Sequence, residues 1–152
     1  MKTRFTFLAL IISVIFHLAD AQSINYLPLP KGAKVPDIAF NLQQGNSLRK
    51  ANLGEFSSKM LLIDFWSTYC SYCIASMPKL WDLQKQFRGR LNIIMVTSDS
   101  ETIVSKFWKT HKLSPAISSA KDHLLFVNGD TLLSALFPHP SIPLNVWIDS
   151  GL

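Results

Sequence analysis

The feature that most constrains this chain is Met60–Trp66, an apolar, β-branched and aromatic run leading into Ser67-Thr68-Tyr69-Cys70-Ser71-Tyr72-Cys73. A run of this kind reads as a buried strand. Beyond the cysteines, Ile74, Met77, Leu80, Trp81, Leu83 and Phe87 recur at helical spacing. The cysteines therefore stand where a buried strand hands over to a helix. Cys70 falls at or just before the first turn, and Cys73 one turn later, facing inward. The first helical turn has N–H groups without intrahelical partners, and the helix dipole favours negative charge there. A thiolate at Cys70 is stabilised by that position and becomes the attacking sulfur. Cys73, less accessible, is placed to resolve a mixed disulfide.

These are the only two cysteines of the chain. A bridge closing so small a loop adds little stability by chain entropy, which disfavours a purely structural disulfide. Zinc would need further ligands, and His111, His123 and His139 are too widely and irregularly spaced for a usual framework. No metal, flavin or nucleotide is expected, and no glycine-rich phosphate loop occurs in the sequence.

Lys2 and Arg4 precede an apolar segment from Phe5 to Leu18, followed by Ala19-Asp20-Ala21. This is the form of a signal peptide, residues 1–21, with the mature chain beginning at Gln22. The segment is short for a membrane span, and an uncleaved tether is the alternative. Export implies an oxidising compartment, expected to be the periplasm. The 48% hydrophobic content is inflated by this segment. The chain carries 15 basic and 10 acidic residues and stays basic once Lys2, Arg4 and Asp20 are removed. Its cations, such as Lys79, Lys85, Arg88 and Arg90, are scattered, so a nucleic-acid partner has no support. The sequence leaves the oligomeric state open.

Residues 22–35, with Pro28 and Pro30, read as a mobile leader, and 36–152 as one domain. Ile38–Phe40 suggests a short strand, Gln44–Ser47 a turn, and Leu48–Leu53 a returning strand. Pro78 should kink the helix after the cysteines, and Gly89 should follow its end. Leu91–Thr97 is a second buried strand. Ser98-Asp99-Ser100-Glu101 has capping-box form, with Val104, Phe107, Trp108 and His111 on one helical face. His111, near that helix end, reads as a dipole partner. Ser114–Asn128 gives little signal beyond a short strand at Leu124–Val127. Asp130 is a candidate cap for a helix reaching Phe137, and Leu144–Ile148 is a last apolar strand. The alternation makes an α/β fold with a central sheet flanked by helices.

In Asp64-Phe65-Trp66-Ser67, Cys70-x-x-Cys73, Met77-Pro78, and Ile142-Pro143 before Trp147-Ile148-Asp149, the chain resembles the thioredoxin superfamily. Within it, the likeness is to exported TlpA/ResA-like thiol-disulfide oxidoreductases with a redoxin domain, and it covers Pro36 to Gly151. The resemblance implies a thioredoxin-like fold with Cys70 as nucleophile, Cys73 as resolving cysteine and a redox-active Cys70–Cys73 disulfide. Pro143 matches the cis-proline facing the active site, leaving Ile142 to pair with an extended substrate segment; the alternative is an ordinary trans proline at a strand edge. Asp64 resembles the buried acid beneath the cysteines, which manages the proton of Cys73, the alternative being a hydrogen-bonding Asp at a strand edge. Trp66 and Tyr69 resemble the aromatic rim, although both are also compatible with core packing.

The implied function is reduction of protein disulfides, with a membrane redox partner supplying electrons. Three features depart from the pattern. Ser76 stands where TlpA-like proteins usually carry Glu. Ser71-Tyr72 matches neither the thioredoxin nor the oxidase dipeptide, which leaves the direction of exchange open. The chain ends at Leu152, where family members continue with a strand and a final helix. The expectation is a fragment or truncated copy, with one sheet edge and part of an apolar face exposed. A peroxiredoxin-type peroxidase is the rival enzyme, but Ile63 and Ser67 occupy the positions where that family has Pro and Thr. A redox-inert binding module that keeps the bridged fold is the rival of a different class.

Overall fold

The computed structural model describes residues 28–151. The signal-peptide reading of 1–21, and residues 22–27 of the expected leader, lie outside the described residues. The elements are β1 (Ala39–Gln44), β2 (Ser47–Asn52), a 3-10 turn (Leu53–Phe56), β3 (Met60–Phe65) and α1 (Ser71–Gln86). They continue with β4 (Leu91–Thr97), α2 (Glu101–Thr110), α3 (Pro115–His123), β5 (Leu125–Asn128), α4 (Leu132–Leu136) and β6 (Leu144–Ile148). The six strands form one mixed sheet in the order β2-β1-β5-β4-β3-β6, flanked by helices. This is the α/β architecture the alternation implies.

Strands β3, β4 and β5 run parallel, so helical crossovers connect them and their C-terminal ends meet at one edge of the sheet. β6 runs antiparallel to β3, from Phe65 opposite Leu144 to Leu61 opposite Ile148. Because strand side chains alternate, β3 feeds two cores. Leu61, Ile63 and Phe65 pack with Phe40, Leu53, Ile94, Val96, Leu133 and Ile148. Leu62 and Trp66 pack on the other face, under α1 and α2, with Cys73, Met77, Ile93, Met95, Val104 and Phe107. β6 is an outer strand, and its Trp147, on the face away from Val146 and Ile148, is 52% exposed.

Several local readings need correction. Pro28–Val35 is tied to the domain: the Leu29 N–H donates to the Leu136 carbonyl at 2.9 Å, and Val35 joins the core. Its prolines suggested mobility, but Leu29 and Val35 supply apolar anchors. The first strand runs later than expected, over Ala39–Gln44, because it pairs along its whole length with β2 through the Gly45-Asn46 turn. Helix α1 runs through Pro78 to Gln86, the extent that the apolar period after the cysteines implies. Arg88 and Gly89 then take positive φ values of 47° and 80°, as a helix exit requires. The cap of α2 is Ser100, whose Oγ accepts from the Ile103 N–H at 3.4 Å, and not Ser98. Helix α3 lies within the stretch that gave little signal. Its Ser114-Pro115 start is a good N-cap and first position, but only Ala120 is buried, so the apolar period is weak.

Candidate active site

Phe65 ends β3, and the Trp66 N–H still donates to the Val96 carbonyl at 2.9 Å. The chain then leaves the sheet through Ser67–Tyr69. The Ser67 carbonyl accepts from the Cys70 N–H at 3.0 Å, and Ser67 Oγ accepts from the Tyr69 N–H at 3.2 Å. Cys70 is the N-cap of α1: its Sγ accepts from the Cys73 N–H at 3.2 Å and its carbonyl from the Ile74 N–H at 3.1 Å. No acidic residue occupies the first turn, so nothing in that turn opposes the positive end of the helix. Cys70 is half-buried and Cys73 fully buried, with 0% exposure. They form a disulfide with Cα atoms 5.3 Å apart. Ser76 donates its hydroxyl to the Cys73 carbonyl at 2.7 Å.

Asp64 is 2% exposed, and its Oδ1 has no hydrogen-bond partner among the described residues. Alternation along β3 puts it on the face of Leu62 and Trp66, the face that packs against Cys73 and Met77. Its cross-strand neighbours are buried Met95 on β4 and exposed Asn145 on β6. Desolvation penalises the charged carboxylate and raises its pKa from 3.8 to about 7. A group poised there can accept and return a proton near neutrality.

The Ile142–Pro143 bond is cis and immediately precedes β6, whose first residue faces the end of β3. Ile142 packs against both cores, whereas Pro143 is exposed. Tyr69 is 87% exposed beside Cys70. Trp66 requires correction as a rim residue. It is 2% exposed, stacks on Trp108 at 5.6 Å and meets Phe107 and Phe126 edge-on, so it is core and presents no surface to a substrate. Its neighbours come from α2 and β5, which no local pattern could reveal.

Tyr72, read in the sequence as part of the motif dipeptide, is 72% exposed between the cysteines. One residue of the site escaped the sequence reading. Asp99, absorbed into a supposed capping box, reaches the cysteine loop instead. Its Oδ2 accepts from Ser67 Oγ at 3.1 Å, the Thr68 N–H at 2.7 Å and Thr68 Oγ1 at 2.8 Å. Its place directly after a parallel strand, at the edge where such sheets gather their sites, was the signal. His111, His123 and His139 pack separately on Phe107, Trp81 and Phe65, with centroids 4.4 to 4.6 Å apart.

The family model described as Redoxin matches residues 30–128. The chain belongs to the redoxin family. This redoxin is 27% identical over 103 residues to the thioredoxin-like protein YneN of Bacillus subtilis, covering 65% of the chain and 59% of the relative. It is 26% identical over 123 residues to the thiol-disulfide oxidoreductase ResA of Oceanobacillus iheyensis, covering 74% and 63%. The matches thus span less than two thirds of either relative's length. The fold is similar to the thioredoxin domain of a thiol-disulfide oxidoreductase from Bacteroides vulgatus, with a TM-score of 0.59 at 24% identity, covering 81% of this chain and 84% of that one. This redoxin therefore has the thioredoxin-like fold, with Cys70 and Cys73 forming a C-x-x-C pair at the head of α1.

Proposed function

We propose that the protein is an exported thiol-disulfide oxidoreductase that reduces disulfides in protein substrates. The observation that carries this reading is the asymmetry of the pair: Cys70 half-buried at the head of α1, Cys73 wholly buried behind it. In the reductive half-reaction the Cys70 thiolate attacks one sulfur of a substrate disulfide, and the other leaves as a thiolate. Cys73 gives its proton to the Asp64 carboxylate and attacks Cys70 Sγ within the mixed disulfide. The second substrate sulfur leaves and is protonated. Two electrons pass to the substrate, and the Cys70–Cys73 disulfide remains.

Support for the role of Asp64 comes from its burial on the Cys73 face of the sheet and its pKa of about 7. Tyr69, Ile142 and Pro143 are the groups we assign to contact with an extended substrate segment. Substrates are disulfide-bearing proteins or apocytochrome-like C-x-x-C segments in the periplasm, and a membrane dithiol donor returns the pair to the reduced state.

The test is the Cys70/Cys73 reduction potential, measured by dithiothreitol or glutathione equilibration together with turnover on a protein disulfide. A value near roughly −270 mV with reductase turnover supports the reading, whereas one near roughly −120 mV makes the protein an oxidant.

A further inference from the structure

Three loops meet at the C-terminal edge of the parallel strands, and one residue, Asp99, bonds to the other two, through its carboxylate on one side and its backbone carbonyl on the other. Asp99 follows β4, and its Oδ2 accepts all three bonds from Ser67 and Thr68, the residues that carry the chain from β3 to Cys70. Asp99 is itself fixed from two sides. Its N–H donates to Thr97 Oγ1 at 3.1 Å, and its carbonyl accepts from the Gly129 N–H, in the loop after β5, at 2.8 Å. The Asp130 N–H adds a bond to the Thr97 carbonyl at 2.9 Å. Hydrogen bonds to an ionised acceptor are shorter and stronger than neutral ones, so this clasp is stiff.

The clasp leads to the nucleophile through Ser67, which gives its hydroxyl hydrogen to Asp99 and accepts the Tyr69 N–H on the same oxygen. Its carbonyl then accepts the Cys70 N–H at 3.0 Å. Cys70 Sγ faces the Cys73 N–H only while its own backbone holds the N-cap position. We propose that Asp99 is a positioning residue for thiol-disulfide exchange, fixing the Ser67–Tyr69 loop so that the Cys70 sulfur sits at the head of α1. The assignment rests on the oxidoreductase reading above.

Position and charge predict opposite signs. Removing an anion near a thiol favours the thiolate, whereas loosening the loop withdraws the sulfur from the helix N-terminus and disfavours it. Asp99→Ala, Asp99→Asn and Thr68→Val would be compared with the parent as full-length reduced proteins. The assay is the pH profile of iodoacetamide alkylation, in which the thiolate sulfur displaces iodide. It reports on Cys70, because Cys73 is 0% exposed. Circular dichroism monitors the fold, and turnover on a protein disulfide is measured in parallel.

The expected result is an Asp99→Ala profile displaced to higher pH, with alkylation at neutral pH slowed about tenfold. Asp99→Asn, which keeps an acceptor oxygen without the charge, stays within about threefold of the parent. Thr68→Val, which removes only the Oγ1 bond, moves the same way by less. An Asp99→Ala profile that is unshifted or moves to lower pH overturns the proposal, as does Asp99→Asn matching Asp99→Ala. If Asp99→Ala fails to fold, Thr68→Val decides: an upward shift supports the assignment and a parent-like profile overturns it. A parent that turns over no disulfide, yet shows the Asp99-dependent shift, retires the reductase reading and leaves Asp99 as the residue that places Cys70.

Discussion

Replacing Asp64 with asparagine isolates what the buried carboxyl does to the fold. The folded state holds the Asp64 proton up to about pH 7, whereas the unfolded chain releases it near 3.8. At about 1.4 kcal/mol per pKa unit, burying the charge costs the native state about 4 kcal/mol relative to burying the neutral acid. The sign follows from proton counting. Between the two pKa values the native state binds more protons, so stability falls as pH rises through that window and is level above about pH 7. Linkage puts the loss at about 3 kcal/mol between about pH 5 and about pH 8. Asparagine is not ionisable and removes this slope, whatever constant cost its buried amide adds.

The measurement is urea unfolding of the disulfide-intact proteins across this range, read as the difference between Asp64→Asn and the parent at each pH. That difference should grow in favour of Asp64→Asn by about 3 kcal/mol from about pH 5 to about pH 8. A pH-independent difference would refute the reasoning. It would mean that the carboxylate is solvated or paired when charged, and that desolvation does not control its proton.

Two further outcomes follow from other contacts. Cys73→Ser should stop exchange at the mixed-disulfide stage, so that Ellman's reagent releases about one thiolate per chain and leaves a stable adduct on Cys70. Cys70→Ser should release almost none, because Cys73 is buried, and equal reactivity of the two variants would contradict the assigned order of attack. Asp130 is 7% exposed and accepts from the Leu133 N–H at 2.9 Å, the Ser134 N–H at 2.8 Å and Ser134 Oγ at 2.7 Å. Asp130→Ala should therefore lower the stability by about 1–2 kcal/mol, seen as a lower urea midpoint with an unchanged slope, and a parent-like midpoint would count against its capping role.

The sequence by itself determined the elements whose patterns are strong over consecutive residues. Met60–Phe65, Leu91–Thr97 and Leu144–Ile148 are apolar runs of strand length, and the helix after the cysteines repeats apolar residues along one face. From these came the sheet with its helices, the C-x-x-C pair at the helix head and a buried carboxyl on the strand leading to it. The period is local, so the chain order carries it. Weak burial hid α3, whose nine residues contain a single buried side chain, Ala120.

Only tertiary structure decided which side chains from distant elements meet. Trp66 reads equally well as rim or core until α2 and β5 deliver Trp108 and Phe126 against it. Asp99 lies 31 and 32 residues from Thr68 and Ser67, and it reaches them because parallel pairing of β3 with β4 brings their C-terminal ends to the same edge. Leu29 and Val35 follow the same rule, as their partners belong to α4 and the sheet core. A single strand's pattern records which face is apolar. The residue that fills the space opposite depends on strand order and register, which are fixed only when the sheet assembles.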